Sequence, residues 1–251
     1  MSSLSQPNLI SVIIPARNEA SSIGSLISRT KACLTGMPHE IIVVDDGSTD
    51  GTREIARSSG IIVISHKRNL GKGTSMKTGG ENARGNIIVF LDGDGAHEPQ
   101  DISKVIAPLL EGEADLVIGS RALHKSRVFI SPPTRRLSNN LASLVISVII
   151  SLLLPLVTLF KCRMRWIRVS DCTSGFRAIK KEGWQKLDLT SQGFEIETEM
   201  IYEAAKNKLS IAEAPIYCFW NSELSHLSIL RDSLKTLRLL TGKLVRDARG
   251  R

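Results

Sequence analysis

Short apolar runs recur through the first half of the chain, at residues 10–14, 41–44, 61–64, 87–91 and 116–118. They are rich in Ile and Val and apolar at consecutive positions, as strands covered on both faces are. Between them lie stretches with helical spacing, near residues 19–34, 50–58, 72–83 and 99–110. This alternation predicts an α/β fold built on a doubly wound, mostly parallel sheet. Such sheets bind ligands beyond the carboxyl ends of their strands. The residues there are P-A-R-N-E (15–19), D-D-G-S-T-D-G-T (45–52), N-L-G-K-G (69–73), D-G-D-G (92–95) and G-S-R (119–121). Five polar, glycine-rich exits on one rim predict a nucleotide site.

The alternation stops after Arg121. Ser131-Pro132-Pro133 breaks the chain, and residues 141–160 then run without a charge. Arg135 and Arg136 precede this run; Lys161, Arg163, Arg165 and Arg168 follow it. As a helix it would measure about 30 Å, the thickness of one hydrocarbon core. A straight crossing would part the two halves of the chain, and Pro155 interrupts the run. The expectation is a re-entrant or interfacial membrane segment with the site on the cytoplasmic face, as its basic flanks suggest; a soluble core helix is the other reading. A second compact stretch covers about residues 171–220. The tail repeats leucine at 227, 230, 234, 237, 240 and 244, with Arg231, Lys235 and Arg238 beside that stripe. It predicts a basic amphipathic helix, packed on the core or resting on anionic lipid. Four parts result: a nucleotide-binding half (1–125), a membrane-associated helical segment (126–170), a second half (171–222) and the C-terminal helix (223–251).

Composition narrows the partners. With 42% hydrophobic and 23% charged residues in a chain of 251, wholesale disorder is excluded. A net charge of +8 favours an anionic partner. Nucleic acid is disfavoured, because aromatics are only 4% and no reading motif is present. The four cysteines form no C-x-x-C pair, which fits a reducing compartment, and the N-terminus lacks a signal-peptide pattern.

Asp92 and Asp94 carry the most chemistry. Two carboxylates two residues apart at a strand exit can share Mg²⁺ or Mn²⁺, which keeps waters and bridges substrate phosphates; a plain turn is the alternative. A calcium loop is rejected, because Ala96, His97 and Ser103 stand where it needs an oxygen ligand, glycine and glutamate. Asp45 or Asp46 can accept hydrogen bonds from a base or ribose, with Asp50 capping the next helix. Lys72 is a diphosphate contact or a solvated lysine; Gly73 after it excludes a Walker motif and Met76 a dinucleotide fingerprint. Arg121, Arg135, Arg136, Arg177, His226 and Arg231 recur around the apolar run, as surface charges or as holders of a lipid phosphate.

These motifs, with D-C-T-S-G-F-R-A (171–178) and G-F-E-I-E-T-E-M (193–200), resemble family 2 glycosyltransferases of the GT-A fold, and within them the polyprenyl-phosphate enzymes of the dolichyl-phosphate mannose synthase type. Archaeal enzymes that load N-acetylglucosamine or another hexose onto dolichyl phosphate are the most similar. The resemblance spans most of the chain. It implies an inverting transfer from a nucleoside-diphosphate sugar, UDP-N-acetylglucosamine or UDP-glucose before GDP-mannose, to dolichyl or polyprenyl phosphate, in the assembly of lipid-linked or protein-linked glycans. It places Pro15, Arg17, Glu19, Asp45 and Asp46 around the nucleotide, the metal on Asp92 and Asp94, and the acceptor phosphate against Arg121, Arg136, Ser174 and Arg177. Two departures stand out. Ala96 replaces a glutamine that can join the metal shell, and Trp220, Glu223 and His226 occupy places where the mannose synthases carry other residues. Because a phosphate monoester carries about −1.5 to −2 charges near neutral pH, no general base is expected. A transfer to a soluble acceptor and an inactive, membrane-bound nucleotide-sugar-binding protein are the competing readings.

Overall fold

The computed structural model describes residues 8–123, 127–129, 143–144, 147–148, 169–219 and 229–249, with backbone alone at 127–129 and 229–234. Seven strands form one sheet: β1 (Ile10–Ala16), β2 (His39–Asp45), β3 (Ile62–Ser65), β4 (Ile87–Phe90), β5 (Leu116–Ser120), β7 (Arg177–Lys180) and β8 (Ile211–Pro215). Their order is β3-β2-β1-β4-β7-β5-β8. All neighbours are parallel except β7, which runs antiparallel between β4 and β5. β6 (Arg127–Phe129) and β9 (Tyr217–Phe219) pair separately.

The strands lack alternation because both faces are buried. On one face Val12, Ile14, Val43 and Val89 meet Ile23, Leu26 and Ile27 of α1 (Ile23–Cys33), Ala56 of α2 (Thr52–Ser58), and Val105 and Ile106 of α4 (Ile102–Leu110). On the other, Ile13, Val44, Ile88 and Phe90 meet Met76 of α3 (Lys72–Asn82), Trp184 of α5 (Lys181–Trp184) and Ile196 and Met200 of α6 (Ile196–Lys206). Helix α3 contains Gly79 and Gly80, a poor helical sequence. A methyl group on Gly79 would come within 2.2 Å of Ile13 Cγ2. The glycine trades helix propensity for close approach of α3 to the sheet.

All five strands expected from the first half are present, and the four helical stretches match α1 to α4, with a 3-10 turn (Pro99–Asp101) leading into α4. Strand β7 was not expected. It has only four residues, and its place is fixed by partners far away in sequence.

The C-terminal helix α7 (Ile229–Ala248) docks part of its surface on α6. Leu240 is buried, and Lys243 reaches Glu203 at 2.6 Å and Glu199 at 3.0 Å. Leu237 and Val245 stay about half exposed, at 48% and 50%. Most of the apolar run 141–160 lies outside the described residues. Within it, Ser143 and Ser147 are buried and accept the backbone N–H groups of Cys172 (3.1 Å) and Val169 (3.1 Å), while Leu144 is exposed. Among the described residues no helix is long and apolar enough to cross a membrane.

Candidate active site

Pro15 lies at the end of β1, and the loop after it brings Arg17 and Glu19 to the rim. Arg17 is exposed; Glu19 is buried. Thr52 Oγ1 accepts the Glu19 backbone N–H at 2.7 Å, and Ser22 Oγ donates to the Gly93 carbonyl at 2.8 Å and lies 3.1 Å from the Glu19 carboxylate. Burial pushes Glu19 up to about 7, and the charges of Asp94, Asp50 and Asp92 push the same way. Glu19 thus stands within electrostatic reach of three other acids of the rim.

The loop after β2 is organised by its acids. Asp45 accepts from Arg53 Nε at 2.8 Å and Ser48 N at 3.0 Å, and these partners outweigh burial and hold it below the usual carboxylate range. Asp46 accepts from Leu70 N and Gly71 N, each at 2.8 Å, and its other close partner is His66 Nδ1 at 2.8 Å. Asp50 accepts from Thr52 N and Ala20 N, each at 3.0 Å. The cap position of α2 falls on Gly51 and not on Asp50 as expected; Asp50, one residue earlier, accepts the N–H of the first helical residue. Asp45 and Asp46, expected around the nucleotide, both bind protein groups, and Asp46 ties the 69–71 turn to β2.

Asp92 leaves β4 and meets Lys72 from the start of α3 at 2.6 Å. His97 Nε2 lies 3.6 Å from its other oxygen. Burial opposes ionisation of Asp92, but the ammonium and the imidazole outweigh it and hold the carboxyl well below its usual range. Lys72 also pairs with Glu197 of α6 at 2.6 Å, so it is not a solvated lysine. Gly175 packs against Asp92: a Cβ there would lie 2.3 Å from Oδ1. Asp94 accepts the Ala96 N–H at 2.9 Å. Among the described residues no third His, Cys, Asp or Glu joins these acids in a group able to hold a metal. Two carboxylates suit a hard divalent cation whose remaining positions go to water and phosphate oxygens.

Arg121, beyond β5, grips Asp171 through Nε at 2.7 Å and Nη2 at 2.8 Å, and Thr173 at 3.0 Å. Ser174 is fully buried, and its hydroxyl has no hydrogen-bond partner among the described residues. Arg177 departs from its expected role. It is fully buried and donates to the carbonyls of Ser174 (2.7 Å), Cys172 (2.6 Å) and Glu197, so its guanidinium is turned into the protein and not toward a phosphate. Arg135, Arg136 and His226 lie outside the described residues. His97, Asp171, Gly175 and Glu197 were not singled out in the sequence. Their motifs were visible, but their contacts depend on loops meeting across the sheet.

The doubly wound sheet with an antiparallel β7 between β4 and β5 is a GT-A-like architecture. The chain belongs to glycosyl transferase family 2, whose model matches residues 11–187. It is 32% identical over 230 residues to the UDP-N-acetylglucosamine–dolichyl-phosphate N-acetylglucosaminyltransferase of Methanococcus voltae, covering 83% of this chain and 84% of that one. It is 31% identical over 210 residues to the dolichol-phosphate mannosyltransferase of Pyrococcus furiosus, covering 82% of this chain but only 55% of that protein's length. The fold matches glucosyl-3-phosphoglycerate synthase from Mycobacterium tuberculosis in complex with Mn²⁺, UDP-glucose and phosphoglyceric acid. The TM-score is 0.66 at 25% identity, over 94% of this chain and 80% of that one.

Proposed function

We propose that this glycosyltransferase moves a hexose or N-acetylhexosamine from a nucleoside-diphosphate sugar to dolichyl or polyprenyl phosphate, with inversion at the anomeric carbon. The donor in this reading is UDP-N-acetylglucosamine or UDP-glucose. One observation carries it: Asp92, at the exit of β4, packs against Gly175 of the 171–176 loop, so that in this reading a diphosphate at the first faces an acceptor at the second. The M. voltae relative, similar over most of both chains, supports the lipid acceptor. Asp92 and Asp94 would hold Mg²⁺ or Mn²⁺, which as a Lewis acid neutralises charge on a leaving diphosphate. The chain's own residues do the rest. Lys72 supplies positive charge beside Asp92, Arg121 presents a guanidinium at the exit of β5, and Arg177 fixes the backbone between them. The lipid phosphate is already anionic, so no side chain has to remove a proton from it.

In this reading residues 1–125 bind donor, 171–222 serve the acceptor, and residues 126–170 with the C-terminal helix keep the protein on the membrane, the site facing the cytoplasm. The P. furiosus relative favours a second reading, with GDP-mannose as donor. The test is incubation of membranes containing the protein with dolichyl phosphate and labelled UDP-N-acetylglucosamine, UDP-glucose or GDP-mannose, followed by solvent extraction. Label from a UDP-sugar in the organic phase is the expected result, and label from GDP-mannose alone selects the second reading. Label that stays in the aqueous phase with every donor overturns both.

A further inference from the structure

Lys72 occupies a place that a divalent cation would contest. Its ammonium is 2.6 Å from an oxygen of Asp92 and 2.6 Å from an oxygen of Glu197. Its side chain is only 14% exposed, and the Phe194 ring covers it with the centroid 5.3 Å away. The start of α3 is pinned, since the Gln192 carbonyl accepts Gly73 N at 2.7 Å and Thr74 N at 3.3 Å. The ammonium thus lies between two acids from different elements, the exit of β4 and the first turn of α6. Meanwhile Asp92 and Asp94 lack a third ligand among the described residues, and Ala96 supplies none.

We propose that Lys72 is an internal counter-cation that closes Asp92 to divalent metal until a nucleoside diphosphate arrives. The diphosphate draws the ammonium away from Asp92 by its own negative charge, and its oxygens complete a metal shell that two carboxylates leave short. Metal and donor then bind as a pair, each strengthening the other by the same factor. Glu197 keeps the ammonium within the cleft while Asp92 is released. This inference rests on the reading that Asp92 and Asp94 hold the metal.

The test follows loss of the free Mn²⁺ electron paramagnetic resonance signal on titration with the full chain, with UDP, GDP or no nucleotide. Wild type should bind Mn²⁺ about tenfold more tightly with its nucleotide than without, within the usual range of coupled sites. Lys72→Met should bind Mn²⁺ alone about tenfold more tightly than wild type, because a full charge at contact distance is gone. Lys72→Arg should stay near wild type. Glu197→Gln, which leaves the ammonium to Asp92 alone, should bind Mn²⁺ alone more weakly. Lys72→Met that folds, by its thermal transition, yet binds Mn²⁺ alone no better than wild type overturns the proposal and leaves the metal reading standing. If that variant does not fold, Glu197→Gln decides: unchanged or tighter binding overturns it. Wild type that takes up no more Mn²⁺ than Asp94→Asn, even with nucleotide, overturns the proposal and the metal reading together.

Discussion

A methyl group that is absent governs how Asp92 is held. Because a Cβ at Gly175 would fall 2.3 Å and 2.4 Å from the two Asp92 oxygens, Gly175→Ala must displace that carboxylate. Misplacement of a reacting centre by about 1 Å costs on the order of 10²-fold in rate. The expected outcome for Gly175→Ala is a loss of that size in initial transfer rate, with a cooperative thermal transition retained. Asp94→Asn should lose at least about 10²-fold by removing half the acid pair, as deletion of a charge-stabilising group does elsewhere. Glu19 has a pH signature. Its carboxyl is raised from 4.5 to about 7 by burial, so between those values the folded protein holds more protons than the unfolded chain. Its contribution to stability is complete below pH 4.5 and is lost as pH rises toward 7. Glu19→Gln should therefore gain in melting temperature relative to wild type as pH is raised through that window; a constant difference would show that Glu19 ionises normally. At this scale the sequence exposed Asp92 and Asp94 through their spacing after an apolar strand. It did not expose Gly175, whose importance depends on a side chain 83 positions earlier.

Helix α6 is the element whose chemistry contradicts its surface pattern. Glu197, Glu199 and Glu203 are all buried within it, although glutamates in a helix ordinarily face water. Each has a separate reason. Glu197 meets Lys72; Glu199 accepts Thr190 N and Ser191 N, each at 2.9 Å; and Glu203 takes Lys243 of α7 at 2.6 Å. Lys243, itself only 3% exposed, thereby joins the C-terminal helix to the loop that leads to Gln192. Removing it leaves buried Glu199 without its cation and Glu203 with Lys206 at 3.9 Å alone, a cost of about 3–5 kcal/mol for a broken buried pair. Lys243→Ala should lower the free energy of unfolding by about that amount in urea titration, and Val245→Ser, on the outer face, should stay within about 0.5 kcal/mol. A helix lies where the leucine repeat predicted one, but of its stripe Leu240 is buried while Leu237 is half exposed, and the residue that docks it most firmly is a lysine. Hydrophobic periodicity has no means of marking a buried cation. Strand β7 escaped for a related reason: four residues paired antiparallel with strands from elsewhere leave no local pattern.

At the scale of the molecule, the sheet order decides what meets what. The parallel strands deliver their exits to one rim, and β7, running the other way between β4 and β5, starts at that rim with Arg177 and carries the Asp171–Phe176 loop onto Asp92. The doubly wound architecture followed from alternation alone; this union of distant segments did not, because it is a property of strand order. For the whole enzyme, chelation with EDTA should abolish transfer to dolichyl phosphate, and Mn²⁺ or Mg²⁺ should restore it. Activity undiminished by EDTA would exclude the role given to Asp92 and Asp94. A further consequence lies in the paired contacts at the end of β5. Ser120 meets Ser170 at 2.7 Å and Arg121 clasps Asp171, so the chain leaves the sheet and rejoins it at a single spot. That meeting point is held by side chains on both segments, so the approach to β7 is anchored to the exit of β5 before β7 itself begins at Arg177.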